Sequence, residues 1–260
     1  VSAAGHAEVE ALRAAIDGAR HVAVLTGAGM SAESGIPTFR DALTGLWAKF
    51  NPEELASVKG FRADPARVYR WYAERREGVR RAEPNAGHRA LAAWGRANPG
   101  RMTVVTQNVD DLHQRAGQPE VIRLHGDILA DQWLEPCGQP NRGGPACDPA
   151  AAVGGPPPRC ARCGNLARPS VVWFGEMLPE ASLARAEALA AGCDVMLVVG
   201  TSGAVWPAAG LALRARRASA QVVIVNPAPS EIDTAAHAVL RGTAAQVLPR
   251  LLGGGASVES

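Results

Sequence analysis

The short apolar run His21-Val22-Ala23-Val24-Leu25 ends in Thr26-Gly27-Ala28-Gly29-Met30-Ser31-Ala32-Glu33-Ser34-Gly35-Ile36-Pro37-Thr38-Phe39-Arg40. A run of this kind, partly β-branched, reads as a buried parallel strand feeding a turn. In a dinucleotide-binding turn, Gly27 permits the tight bend, Gly29 lets backbone N–H groups approach a pyrophosphate, and Ala32 takes the third, small position where a helix packs on the strand. The usual fingerprint continues directly into that helix, whereas Gly35, Pro37 and Gly45 interrupt this chain. An ordinary hydride-transfer dehydrogenase is therefore disfavoured. The bland alternative is a surface loop whose glycines supply positive φ, but it does not account for Phe39 and Arg40 following so closely.

Further apolar runs alternate with helical patterns. Val9, Leu12 and Ile16 recur at helical spacing; Pro65 to Val79 and Asn85 to Ala97 read as helices, the second ended by Asn98-Pro99-Gly100 before a strand from Met102 to Thr106. Glu180 to Gly192 leads into Val195 to Val199, and Val222 to Val225 forms another run. Such alternation predicts an α/β fold, a Rossmann-like doubly wound parallel sheet. Polar or small residues close each strand: Gln107, Asn108 and Asp110 after one, His125 after Val121-Ile122-Arg123-Leu124, Gly200, Thr201 and Ser202 after the next, and Asn226 after the last. Open α/β sheets bind ligands at such ends.

These ordered motifs resemble those of the sirtuins, NAD-dependent protein-lysine deacylases, from about Leu12 to Leu252. The resemblance implies that the acyl oxygen of a modified lysine displaces nicotinamide at the ribose anomeric carbon. His125 then acts as general base on a ribose hydroxyl, and the acyl group leaves on ADP-ribose. It assigns Asn108 to the ribose, Asp110 to the nicotinamide amide, Phe39 to shielding the reactive carbon and Arg40 to ordering the cofactor loop. Further NAD contacts carry over onto Gly27, Ala28, Gly29, Ser31, Ala32, Glu33, Trp47, Gln107, Gly200, Thr201, Ser202, Asn226 and Ala244. Val172, Trp173, Phe174, Gly175 and Glu176 match the segment on which the substrate peptide lies as an added strand.

Tyr72 and Arg75 stand three positions apart on one predicted helix, so both could converge on one anion. An arginine fork with a phenol suits the carboxylate of a succinyl or malonyl group, which acetyl lacks. The same Tyr-x-x-Arg occurs in the desuccinylase branch of sirtuins, and Ala56 matches its pocket-widening small residue. The bland reading is a packed tyrosine beside a surface arginine.

Cys137, Cys147, Cys160 and Cys163 fall in a Pro- and Gly-rich stretch with little periodicity. Cys160-Ala161-Arg162-Cys163 has knuckle spacing for one structural Zn2+ that would order this segment, although the wide gap between Cys137 and Cys147 departs from the family pattern and leaves a degenerate, metal-free site as the other reading. Cys193 reads as a small core residue. The expected organisation is a large NAD-binding domain over 7–127 and 171–252 with a helical insertion near 46–98, a second, smaller zinc-binding module over 128–170, and a loose tail at 253–260.

With 47% apolar residues, 260 residues can bury a substantial core. Lys+Arg 27 against Asp+Glu 25 is too even for an electrostatic nucleic-acid binder. No run suits a signal core or a membrane span, and five cysteines, an odd count, favour reduced thiols. The expectation is a cytoplasmic monomer acting on acylated-lysine proteins, with no nucleic-acid or membrane partner. Two other readings stand beside it: a plain deacetylase or protein ADP-ribosyltransferase on the same fold, and a non-catalytic NAD-sensing module.

Overall fold

The computed structural model describes residues 3–37, 51–135 and 152–253, with residues 3–5 as backbone only. Phe39, Arg40, Trp47, Cys137, Cys147 and the tail beyond 253 lie outside the described residues. In chain order the strands are β1 (Val22–Thr26), β2 (Met102–Thr106), β3 (Val121–Arg123), β4 (Gly126–Trp133), β5 (Ala167–Val171), β6 (Val195–Val199), β7 (Gln221–Val225) and β8 (Ala238–Leu240). The helices are α1 (Ala3–Gly18), α2 (Pro52–Leu55), α3 (Val58–Ala63), α4 (Pro65–Arg81), α5 (Ala86–Ala97), α6 (Leu112–Arg115), α7 (Glu180–Gly192), α8 (Gly210–Arg217) and α9 (Ala244–Leu252).

The chain divides into two compact units. One comprises Val1–Thr38, Ala82–Leu124 and Leu178–Ser260, the other Phe39–Arg81 and His125–Met177. The division differs from the expected boundaries: the expected insertion as far as Arg81, together with 125–127 and 171–177, falls with the second unit, while α5 falls with the parallel sheet. The reason is pairing, because β4 starts at Gly126 and runs antiparallel to β5, which ends at Val171.

The first unit is built on a parallel sheet in the order β3-β2-β1-β6-β7-β8. The strand order reverses between β1 and β6, the topological switch point of a doubly wound sheet. All five residues of β1 are buried, which explains its uninterrupted apolar run. Its side chains alternate between two cores. Val22 and Val24 join α1, α5 and α9 through Leu12, Ile16, Leu91, Trp94, Leu248 and Leu251. Ala23 and Leu25 join α7 and α8 through Ala186, Ala190, Leu211, Ala212 and Ala215.

A connected set of polar side chains enters this interior. Thr26 Oγ1 donates to Thr106 Oγ1 at 2.8 Å and lies 3.1 Å from His113 Nε2. His88 lies edge-on to His113, ring centroids 4.8 Å apart, and its Nδ1 accepts from the Asn85 amide at 3.4 Å. The Asn85 side chain caps α5 by accepting from Gly87 and His88 amides and donates to Met30 O and Ser34 Oγ, so one residue starts the helix and holds the turn after β1. Burial, with Arg89 adding to it, lowers the His88 pKa from 6.5 to about 4, and burial holds His113 well below its ordinary value.

The second unit pairs β4 and β5 with a register shift between Asp127 and Asp131. The shift leaves carbonyls that α4 satisfies: Arg76 donates to Ile128 O, Ala130 O and Asp131, and Tyr69 donates to Asp131 at 2.9 Å. Leu55, Phe61, Val68, Trp71, Tyr72, Ile128 and Trp173 are buried in this unit.

The neutral His88 generates a pH dependence. The unfolded chain binds its proton near pH 6.5 and the folded chain only near pH 4. Stability is therefore complete above 6.5 and is lost as pH falls toward 4, by about 3 kcal/mol from this residue. Urea unfolding followed from about pH 7 to about pH 4.5 should show this decline, and His88→Gln should make it shallower while the share of the likewise depressed His113 remains; parallel profiles in the two proteins would contradict the assignment.

Candidate active site

In the first unit, the β1 and β6 ends meet in backbone contact. Gly27 N donates to Val199 O at 3.0 Å and Gly29 N to Gly200 O at 2.8 Å. A Cβ on Gly27 would lie 2.7 Å from Thr201 Cβ, one on Gly29 2.8 Å from Gly200 Cα, and one on Gly200 2.4 Å from the Met30 nitrogen. Only Gly200 of these three is left-handed, with φ +62, whereas Gly27 is extended at φ −124. Gly27 and Gly29 are small because the neighbouring chain touches them: the Gly27 amide bonds to the last residue of β6 and the Gly29 amide to the loop after it. Ala32 is exposed, not packed on the strand, because two 3-10 turns, Ala28–Met30 and Ala32–Ser34, replace a continuous helix.

Around this junction the predicted polar residues converge. Ser31 Oγ donates to Asp110 Oδ2 at 2.9 Å and accepts from Asn108 Nδ2 at 3.1 Å, and Asn108 also donates to Gly27 O at 3.0 Å. All three are buried, and burial raises the Asp110 pKa. Gln107 Nε2 donates to Thr201 Oγ1 at 3.2 Å and Asn226 Nδ2 to Thr201 O at 3.3 Å, gathering a second group at the same strand ends. Ser202 is exposed beside them. Ala244 is buried at the start of α9, where Glu33 accepts from the next amide, Ala245 N, at 3.0 Å. Ala28 is exposed at the turn. The cluster offers amides, hydroxyls and one carboxylate for a hydroxyl-rich, amide-bearing ligand at the switch point.

In the second unit His125 is half-buried, immediately before β4, and its carbonyl accepts from Val172 N at 2.9 Å. The following Gly126 has φ +87, and a Cβ there would lie 2.2 Å from Ser170 O. Its smallness therefore serves the close approach of β5. Phe174 N donates to Ala56 O at 2.9 Å, bringing Ala56, buried after α2, against this segment. Phe174 and Met177 are largely exposed, Gly175 is exposed with φ +84, and Val172 is half-buried. Trp173 and Glu176 point inward instead: the Glu176 carboxylate accepts from Trp173 N at 2.8 Å and from Arg168 at 2.5 Å.

Tyr72 is buried, its hydroxyl accepting from Trp173 Nε1 at 2.9 Å, and desolvation pushes its pKa to about 12. Arg75 lies on the same helix, its guanidinium 4.8 Å from the Trp71 ring centre and 5.7 Å from that of Tyr72. Cys160 is buried and Cys163 exposed on a tight turn, with Gly164 N donating to Cys160 O at 2.8 Å and Gly164 at φ +73. Among the described residues no group of three or more His, Cys, Asp or Glu could hold a metal. His88, His113 and Arg168 support these sites without any motif signalling them; only the three-residue spacing of Asn85 and His88 hinted at a capping box.

Residues 27–207 match the model of the Sir2 family. A protein of Ralstonia nicotianae called NAD-dependent protein deacylase is 54% identical over 240 residues, covering 92% of this chain and 94% of its own. One of the same name from Methylococcus capsulatus is 52% identical, covering 93% and 94%. Among solved structures, a Sir2 homologue in complex with NAD superposes with a TM-score of 0.82 at 42% identity, covering 94% of this chain and 92% of that one. Sir2Tm bound to a propionylated peptide gives 0.78 at 30% identity, covering 94% and 97%. The chain belongs to the Sir2 family.

Proposed function

We propose that this protein is an NAD-dependent protein-lysine deacylase that moves the acyl group of a modified lysine onto ADP-ribose and releases nicotinamide. The observation carrying this reading is the Ser31–Asn108–Asp110 cluster at the sheet's switch point, in a chain of the Sir2 family. NAD, when bound, supplies an anomeric carbon with nicotinamide as leaving group. Asn108 and Asp110, already fixed through Ser31, require little reorganisation to hold a ribose and a carboxamide. The half-buried His125 imidazole takes the proton of a ribose hydroxyl, a proton-transfer role that histidine side chains suit. The exposed Phe174 to Met177 stretch offers backbone to an extended peptide, which favours weak sequence selectivity.

The acyl group we assign is short and acidic, succinyl or malonyl. Its support is the buried Tyr72 hydroxyl with the Arg75 guanidinium on the same helix, a phenol and a planar cation whose chemistry matches a carboxylate rather than a methyl terminus. We also assign one structural Zn2+ to Cys160 and Cys163 together with Cys137 and Cys147. The turn closed by Gly164 suits a C-x2-C knuckle.

Nicotinamide release with NAD and an acyl-lysine peptide tests the activity: release should require the acylated peptide, and turnover without it would favour a hydrolase or ADP-ribosyltransferase. His125→Ala should lower kcat about 10²–10⁴-fold with the thermal midpoint kept; normal turnover in that variant would remove the imidazole from the mechanism. Arg75→Met should lower kcat/KM for succinyl-lysine by about 10–100-fold and change acetyl-lysine far less. Equal losses on the two peptides would show a plain deacetylase.

A further inference from the structure

The acyl preference raises a question of direction, because a phenol both donates and accepts hydrogen bonds and its rotor has to be set before it can select a carboxylate. Tyr72 is 2% exposed, and Trp173 Nε1, a group that can only donate, points at its oxygen from 2.9 Å. The oxygen's accepting role is thereby used, and the phenol's own proton has no acceptor among the described residues. Burial pushes the Tyr72 pKa to about 12, so at neutral pH the group keeps that proton.

The indole that sets this direction is itself clamped. Arg168, 5% exposed on β5, stacks its guanidinium 4.1 Å from the Trp173 ring centre. The same guanidinium donates to Val171 O and binds the Glu176 carboxylate, which accepts the Trp173 backbone N–H. Phe61 packs on the indole with ring centres 5.3 Å apart. An arginine held by a strand, an ion pair and an aromatic face has little freedom to move. The orientation of the Tyr72 hydroxyl is thus handed down from Arg168 through Trp173.

We propose that Arg168 and Trp173 are positioning residues that fix Tyr72 as a hydrogen-bond donor to the terminal carboxylate of the acyl chain, and so set the preference for acidic over neutral acyl groups. The inference rests on the acidic-acyl reading above. A carboxylate accepts the aimed proton, whereas an acetyl methyl leaves a buried donor without a partner. Replacing the indole N–H frees the phenol rotor and erodes that difference.

The test is kcat/KM for succinyl- and acetyl-lysine peptides of one sequence, measured with the full chain as wild type, Tyr72→Phe, Arg75→Met, Trp173→Phe, Arg168→Lys, and Tyr72→Phe combined with Trp173→Phe. Trp173→Phe keeps an aromatic ring but no donor. Whatever loss the two substrates share, the succinyl-to-acetyl ratio should fall about tenfold, mainly through KM for the succinyl peptide. Arg168→Lys, which keeps charge for Glu176 but not the plane over the indole, should lower the ratio less and serves if Trp173→Phe does not fold. In the Tyr72→Phe background, Trp173→Phe should change the ratio no further, whereas separate structural damage would add. A ratio that collapses in Tyr72→Phe but is untouched by Trp173→Phe and Arg168→Lys overturns the positioning role and leaves the acidic-acyl reading standing. A ratio that ignores Tyr72→Phe and Arg75→Met overturns both.

Discussion

The backbone contact where β1 and β6 end governs the first unit. Parallel neighbours at a switch point send their following loops to opposite faces of the sheet, and the cleft so formed is where ligands bind. Here the two loops touch at Gly27, Gly29, Gly200 and Thr201, with Cβ positions so close that side chains cannot be added without moving backbone. That contact fixes where Gly27 O lies, Gly27 O anchors Asn108, and Asn108 and Asp110 meet on Ser31. The polar cluster is preorganised by main chain more than by its own side chains, which suits a site that must stabilise charge without first rearranging.

A comparable logic runs through the second unit with arginines in place of glycines. Arg76 ties α4 to the irregular part of β4, and Arg168 ties β5 to the segment that carries Trp173. Each satisfies groups that a small, loop-rich unit would otherwise leave unpaired, through several bonds at once. A planar fork does this where a lysine's point charge would not.

Much of the first unit was legible in the chain because its strands are buried on both faces and therefore read as unbroken apolar runs. The run at 21–25 overlaps β1 with an offset of one residue, those at 102–106 and 195–199 coincide with β2 and β6, and the periodic stretches from 65 and 85 match α4 and α5. The paired strands β4 and β5 carried no such signal. Their residues alternate irregularly around a register shift and depend on Arg76, some fifty positions away in sequence. The residues of the candidate site were readable as types at strand ends, but their reasons were not: Gly29 is small for the sake of Gly200, and Gly126 for the sake of Ser170. Trp173 and Glu176 were legible as members of a motif, yet only Arg168, a lone arginine in an unremarkable stretch, explains why they turn inward.

The two faces of the parallel sheet also differ in what they tolerate. One is filled by Leu12, Ile16, Leu91, Trp94, Leu248 and Leu251, the other largely by alanines on α7 and α8 that bring those helices close to the strands. Sequence drift is accordingly asymmetric. On the leucine-rich side truncation opens voids that the surroundings cannot refill. On the alanine-rich side even one added methylene has nowhere to go, so it displaces α7 or α8 as a body and the loops leading into them.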